Sequence, residues 1–210
     1  MLQIVNVKKF YGSYLALQVS SLTISDGIHW LQGINGSGKT TFLKIIAGLL
    51  PFSGDIFIRD TISIKKKPVA YRRLVNYAEA EPLYPSFLSG TDLINLFVKA
   101  KQGTHQQADE LIELLHVNSF ISHPIGTYSS GMQKKMSIIL ALIGHPSLVL
   151  LDEPLVTVDD ASVNIIYELI ENYHRSKGTS FLLTSHQQFD QSRFTIENRF
   201  LVENQMIKHL

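Results

Sequence analysis

Gly33-Ile34-Asn35-Gly36-Ser37-Gly38-Lys39-Thr40-Thr41 fits G-x-x-x-x-G-K-[ST], the spacing of a phosphate-binding loop. A triphosphate presents several negative charges on oxygens that need many donors at short range. Glycines let the backbone turn its N–H groups inward around those oxygens, because no Cβ blocks the approach. Lys39 then supplies a mobile cation for the β- and γ-phosphates, and the Thr40 hydroxyl a ligand for Mg²⁺. Thr41 is expected to open a helix whose N-terminal dipole faces the same anion. The flanks agree with this reading. Ile28-His29-Trp30-Leu31-Gln32 has the character of a short buried strand feeding the loop, and Phe42, Leu43, Ile45, Ile46 and Leu49 recur at helical spacing after it. Gly33 through Thr41 are therefore the candidate nucleotide contacts.

A second chemical element lies more than a hundred residues on. Leu148-Val149-Leu150-Leu151-Asp152-Glu153-Pro154 is an apolar run that ends in two carboxylates. A fully buried strand delivers such acids to its carboxyl edge, where ligands bind in open α/β sheets. Asp152 is placed to hold Mg²⁺ through water, and Glu153 to polarise an attacking water, the positioning role that dominates phosphoryl transfer. Between the two elements, Tyr128-Ser129-Ser130-Gly131-Met132-Gln133 precedes a helical run. Taken alone, that is ordinary N-capping chemistry; its place between loop and acidic strand makes it informative.

The bulk properties bound the rest. A chain of 210 residues can bury a sizeable core as one large domain or one domain with a subdomain. A hydrophobic fraction of 45% and a charged fraction of 18% are those of a globular protein, and a net charge of +1 gives no argument for nucleic acid or an anionic membrane surface. The chain has no cysteine, which excludes disulfides, Cys-based zinc sites and thiol chemistry and accords with a reducing cytosol. Met1–Val7 reads as a strand without the basic and apolar regions of a signal peptide, and the longest apolar runs fall short of a membrane span. The expectation is a soluble protein without direct membrane insertion, whose membrane role, if any, comes through a partner.

In chain order, Leu2–Val7, Leu15–Val19 and Leu22–Ile24 suggest an antiparallel sheet ahead of the loop, with Tyr11-Gly12 in its first turn. Gly48-Leu49-Leu50-Pro51 ends the loop helix and Gly54–Ile58 resumes as strand. Lys65-Lys66-Lys67 reads as a solvated loop and Leu74–Ala78 as another strand. Thr91–Ala100, His105–Val117 and Met132–Ile143 are helical without intervening strands. Leu148–Leu151, Ala161–Tyr173 and Ser180–Thr184 form a strand–helix–strand pattern that implies a parallel sheet. Phe194–Glu197 and Phe200–Val202 are expected to be two closing strands. The fold class is α/β with a mixed sheet core. Residues 1–84 and 144–210 form the core, including an N-terminal antiparallel β-subdomain, and 85–143 an inserted α-helical subdomain of one domain spanning 1–210.

On these motifs, in this order, the chain resembles the nucleotide-binding subunit of ABC transporters over nearly its whole length, a P-loop NTPase of export-type pattern. Gly33–Thr41 stands as the Walker A loop, Ser129-Ser130-Gly131-Met132 in the signature position, Leu148–Glu153 as the Walker B strand, Asp159 in the D-loop position and His186 as the switch histidine. The resemblance implies an ATPase with ATP and Mg²⁺ as ligands. Two copies, or one copy and a homologous subunit, pack head to tail, so that Ser129, Ser130 and Gly131 reach the γ-phosphate bound by the opposite chain. It implies further that Glu153 and His186 act in catalysis, that Asp159 communicates across the dimer, and that Tyr11 stacks on adenine, with packing against the sheet as the rival role. It places the protein in the cytoplasm, attached at the inner face of the plasma membrane through a membrane-spanning permease. Leu83–Phe87 then lies either in the groove that receives the permease or in packing between subdomains.

Three stretches depart from the family pattern. Ala80, flanked by Glu79 and Glu81, stands where a Q-loop glutamine belongs, so one of those carboxylates is expected to take over its Mg²⁺ contact. Ser130 replaces the first signature glycine and Met132 its glutamine. Leu155-Val156-Thr157-Val158 lacks the usual Ser-Gly-Leu before Asp159. Two other functions share the same engine: an ABC ATPase acting on soluble partners, and a hydrolytically weak regulatory subunit. Retention of Glu153 and His186 argues against the second.

Overall fold

The computed structural model describes residues 2–186 and 188–210; Met1, read as the start of the first strand, and Gln187 lie outside them. Two sheets are built around the loop helix. The first is a four-stranded antiparallel sheet of β1 (Leu2–Tyr11), β2 (Tyr14–Ile24), β4 (Ser53–Ile58) and β5 (Ile62–Ser63), in the order β2-β1-β4-β5. The second has six strands. They are β3 (Ile28–Gln32), β6 (Val75–Ala78), β7 (Leu148–Asp152), β8 (Ser180–Thr184), β9 (Asn198–Glu203) and β10 (Met206–His209), in the order β10-β9-β3-β8-β7-β6. Only the β9–β10 pair is antiparallel there.

The parallel strands are apolar throughout because both of their faces are covered. Every residue of β7 and β8 is buried. Their side chains alternate between two cores, as a period of two requires. Leu148 and Leu150 join Leu31, Leu182 and Phe200 against helix α1 (Lys39–Ile46) and the first sheet. Val149 and Leu151 join Trp30, Phe181 and Leu183 on the opposite face. There they meet α5 (Ser130–Leu142) and α6 (Asp160–Lys177), together with α3 (Gly90–Lys101) and α4 (His105–Leu114). Helix α1 is thus clamped between two sheets by Phe42, Leu43, Ile45 and Ile46, all fully buried. Truncating Phe42 to alanine would cost about 3–5 kcal/mol.

Caps explain where the helices begin. Ser89, Thr104, Ser129 and Asp159 each sit at an N-cap and accept a hydrogen bond from the backbone N–H three residues on. Differences from the expected elements have local causes. Leu15–Val19 and Leu22–Ile24 belong to one continuous strand, because β1 pairs along the whole of it. The loop helix opens at Lys39, with Gly38 as its cap, rather than at Thr41. Pro68–Leu74 forms a helix, α2, that the reading missed; Pro68 starts it and Leu74 ends it rather than opening the strand. Phe194–Glu197 is no strand. Phe194 is buried as a core anchor against Tyr167 and Phe189, and the second closing strand is β10.

Candidate active site

Four parallel strands run their carboxyl ends to the same edge of the second sheet, the place where open α/β sheets bind ligands. Beyond β3 comes the glycine loop, beyond β6 Glu79–Glu81, beyond β7 Glu153, and beyond β8 Ser185 and His186. A cavity of about 500 Å³ opens there, lined among others by Lys39, Thr40, Glu81, Asp152, Glu153 and His186. A second cavity of about 500 Å³ continues on the other side of the loop, where Tyr11 and Tyr14 face Ser37, Gly38 and the β9–β10 turn.

The loop is shaped as a cradle. Gly33 has φ +150°, and a Cβ there would stand 2.5 Å from Ser37 Oγ and 2.8 Å from the Val202 carbonyl, so only glycine fits. Gly38 closes the loop at φ +109° and caps α1, leaving the first N–H groups of that helix aimed at the cavity. The Lys39 ammonium folds back onto the loop, donating to the Gly33 and Ile34 carbonyls at 2.8 and 3.2 Å. Burial holds its pKa below the ordinary lysine value, against the opposing pull of Glu153 and Asp152. The buried Ser37 hydroxyl has no partner. Ile34 and Asn35 are exposed at the tip.

Asp152 is the hub of the acidic edge and is itself buried. Its Oδ2 accepts from Thr40 Oγ1 at 2.8 Å and Tyr77 OH at 3.2 Å, and its Oδ1 from Thr184 Oγ1 at 2.6 Å. Burial is the main reason that the Tyr77 phenol is held far above its ordinary pKa, with Asp152 adding to it. The tyrosine therefore remains a donor. Glu153 turns away from the strand at φ +49°, an uncommon conformation for a glutamate, and its N–H donates to Thr184 Oγ1 at 3.0 Å. Its Oε2 accepts the His186 backbone N–H at 3.1 Å. Its Oε1 has His186 Nε2 at 3.2 Å, out of hydrogen-bond alignment, and so carries a buried acceptor without a hydrogen bond.

The two carboxylates beside Ala80 separate. Glu81 lines the cavity, whereas Glu79 pairs with Lys44 at 2.9 Å and faces a different pocket. Ser129, Ser130, Gly131 and Asp159 are absent from the lining of either nucleotide-side cavity. Ser129 caps α5, its Oγ accepting from the Met132 N–H at 3.2 Å while its own N–H donates to Met132 Sδ at 3.4 Å. A Cβ on Gly131 would come within 2.6 Å of the Thr157 carbonyl, so the turn after β7 rests on this glycine. Asp159 pairs with Lys135 at 3.0 Å, and that contact, with its bonds from Ser162, holds its carboxyl well below the usual range. Leu83 and Phe87 are exposed, while Tyr84 packs inward.

Three residues of the site escaped the sequence reading. Thr184 and Tyr77 donate to the two oxygens of the Asp152 carboxylate, and Lys134 stands behind it on the Asp152 carbonyl. Lys134 is fully buried on α5, and burial lowers its pKa to about 8. The signal was available: a lysine in line with Ile138 and Ala141, on the apolar face of its helix.

The residues fit a Mg-nucleotide. The Thr40 hydroxyl and the Asp152 carboxylate already meet, and the cradle, the folded-back ammonium and the unpartnered Ser37 hydroxyl supply phosphate donors. Among the described residues no cluster of three or more His, Cys, Asp or Glu could hold a metal.

Comparison with known proteins agrees with this geometry. Residues 17–156 match the family model described as ABC transporter. The chain is 34% identical over 179 residues to the cytochrome c biogenesis ATP-binding export protein CcmA of Legionella pneumophila, covering 85% of this chain and 88% of that protein. It is 30% identical over 189 residues to the uncharacterized ABC transporter ATP-binding protein YhcH of Bacillus subtilis (strain 168), covering 89% of this chain but 62% of YhcH. An ATP-binding cassette solved as a dimer, in a post-hydrolysis state with ADP and Pi, shares the fold. Its TM-score is 0.82 at 20% identity, over 100% of this chain and 98% of that one.

Proposed function

The chain belongs to the ABC transporter family as an ATP-binding ATPase subunit, and from that premise we propose that it works as half of a head-to-tail dimer powering export through a separate membrane-spanning permease. The observation that carries the dimer is the lining of the cavity. Lys39, Thr40, Asp152, Glu153 and His186 surround it, while Ser129, Ser130 and Gly131 of the same chain stay out. A triphosphate seated on the loop would keep one face open, and the serine cap of a second copy supplies donors of the right kind for it.

Within one copy, Lys39 leaves its two carbonyls for the β- and γ-phosphates. Thr40 and Asp152 would hold Mg²⁺, and Glu81 would take the contact that a Q-loop glutamine makes. The ion supplies charge neutralisation on the phosphate oxygens. Glu153 accepts a hydrogen bond from the attacking water at Oε1, which makes no hydrogen bond within the chain, and His186 reaches the γ-phosphate. Tyr11 stacks on adenine in the second cavity. Asp159, clasped by Lys135, relays closure to the other copy. Residues 85–143 move as a helical subdomain on the core, and the exposed Leu83 and Phe87 offer the permease an apolar foothold. The export direction is supported by the likeness to CcmA, named as an export protein. No described helix is long and apolar enough to cross a membrane, and attachment at the inner face of the plasma membrane would come through the permease.

Glu153→Gln tests the site. Turnover is expected to fall about 10²-fold or more, and an ATP-dependent dimer to accumulate in sedimentation. Persisting turnover refutes the role of Glu153, and a monomer at saturating ATP refutes the shared site. Purification from membranes tests the transport role, which a purely soluble complex would overturn.

A further inference from the structure

Lys134 lies outside both nucleotide-side cavities and yet reaches the back of the site. Its ammonium donates to the Ala80 carbonyl at 2.6 Å, the Glu79 carbonyl at 3.0 Å and the Asp152 carbonyl at 3.2 Å. All three donors of the ammonium are thereby used. Those acceptors sit where two neighbouring strands part. The β6–β7 ladder ends at the Ala78–Leu151 pair, and beyond it the chains diverge, one toward Glu81 and the other toward Glu153. With no further ladder bond between them, the lysine ties the two segments together. Alanine at position 80 brings a carbonyl and only an apolar methyl group to the cavity wall that Ala80 helps to form.

We propose that Lys134 is a positioning residue for ATP hydrolysis: from the helix capped by Ser129, its ammonium clamps the Glu79–Glu81 and Asp152–Glu153 segments in register, the link otherwise missing where Ala80 stands. The charges of Asp152, Glu153 and Glu81 favour the cation against its burial, and the cation in turn offsets their mutual repulsion. The inference rests on the ATPase reading of this site and adds to it the residue that sets its geometry.

The test compares steady-state hydrolysis, binding of a non-hydrolysable ATP analogue and thermal unfolding in the full chain for Lys134→Met and Lys134→Gln. Methionine keeps the volume without donors, and kcat is expected to fall about thirtyfold or more while analogue affinity stays within about threefold. Glutamine offers two donors, and kcat is expected to recover to within about tenfold of the parent. A methionine variant with kcat within twofold of the parent overturns the proposal, as does a glutamine variant no better than methionine. Should the methionine variant not fold, the glutamine variant decides. A threefold to tenfold loss of kcat at held affinity supports the clamp, and an unchanged kcat or a parallel loss of both overturns it. Persisting turnover in Glu153→Gln would instead remove the role of Glu153, a failure that the Lys134 variants do not share.

Discussion

Thr184 is buried at the end of β8, and replacing it with valine removes two hydrogen bonds at once. Its hydroxyl donates to Asp152 Oδ1 at 2.6 Å and accepts from the Glu153 N–H at 3.0 Å. Valine preserves shape and strand preference, so the change isolates the oxygen. A hydrogen bond to a charged group contributes about 1.5–3 kcal/mol, and one to a neutral amide about 1 kcal/mol. The extra buried methyl group offsets up to about 1 kcal/mol. The expected net loss is about 2–3 kcal/mol, since the two bonds share one oxygen and do not add in full. With a urea dependence of about 2–3 kcal/mol per molar, the unfolding midpoint should fall by about 1 M at unchanged slope. Thr184→Ser, which keeps the oxygen, should stay much closer to the parent. Hydrolysis should suffer as well, because the Glu153 N–H is one of the contacts that hold that residue at φ +49°, beside the His186 N–H on its Oε2 and the Val156 N–H on its carbonyl. A midpoint within about 0.2 M of the parent, less than about 0.5 kcal/mol, would refute the reasoning.

Gly33→Ala places a Cβ 2.5 Å from Ser37 Oγ and 2.8 Å from the Val202 carbonyl; titration with a fluorescent ATP analogue should show affinity down by about tenfold or more, and unchanged binding would dismiss the cradle. Tyr11→Ala should weaken the same binding by about 1–3 kcal/mol if the ring stacks on adenine, with Tyr11→Phe close to the parent; equal affinity in all three leaves Tyr11 a packing residue. His29 is buried, with Nε2 on the Ser25 carbonyl and Nδ1 beside the Asn198 amide, and burial holds its pKa below the ordinary 6.5. The unfolded chain therefore binds a proton that the fold refuses, so this contribution is complete above pH 6.5 and declines below it, by up to about 1.4 kcal/mol per pH unit. Urea midpoints between pH 7.5 and 5.5 should fall less in His29→Gln than in the parent, and equal slopes would count against the assignment.

How much of this site was legible in the chain follows from how each residue works. Gly33–Thr41 act through backbone shape and a fixed local spacing, and Leu148–Glu153 through one strand and its end. Both patterns survive in one dimension, which is why loop, strand and acids were found where they stand. Phe194–Glu197 misled because a single buried phenylalanine packed among Tyr167 and Phe189 mimics the alternation of a strand. Pro68–Leu74 is not legible in the chain because about two turns of helix carry too few apolar positions to show a period.

The order of motifs along the chain determined the fold, its nucleotide chemistry and the family, since covalent spacing alone sets which groups a loop, a strand end or a helix cap can offer. Tertiary structure alone decided the rest: that Glu81 and not Glu79 faces the cavity, that Thr184 and Tyr77 hold Asp152, and that the buried Lys134 bridges two strand ends. Those contacts join residues 18 to 75 positions apart, and only the register of packed strands and helices brings their atoms within hydrogen-bonding reach.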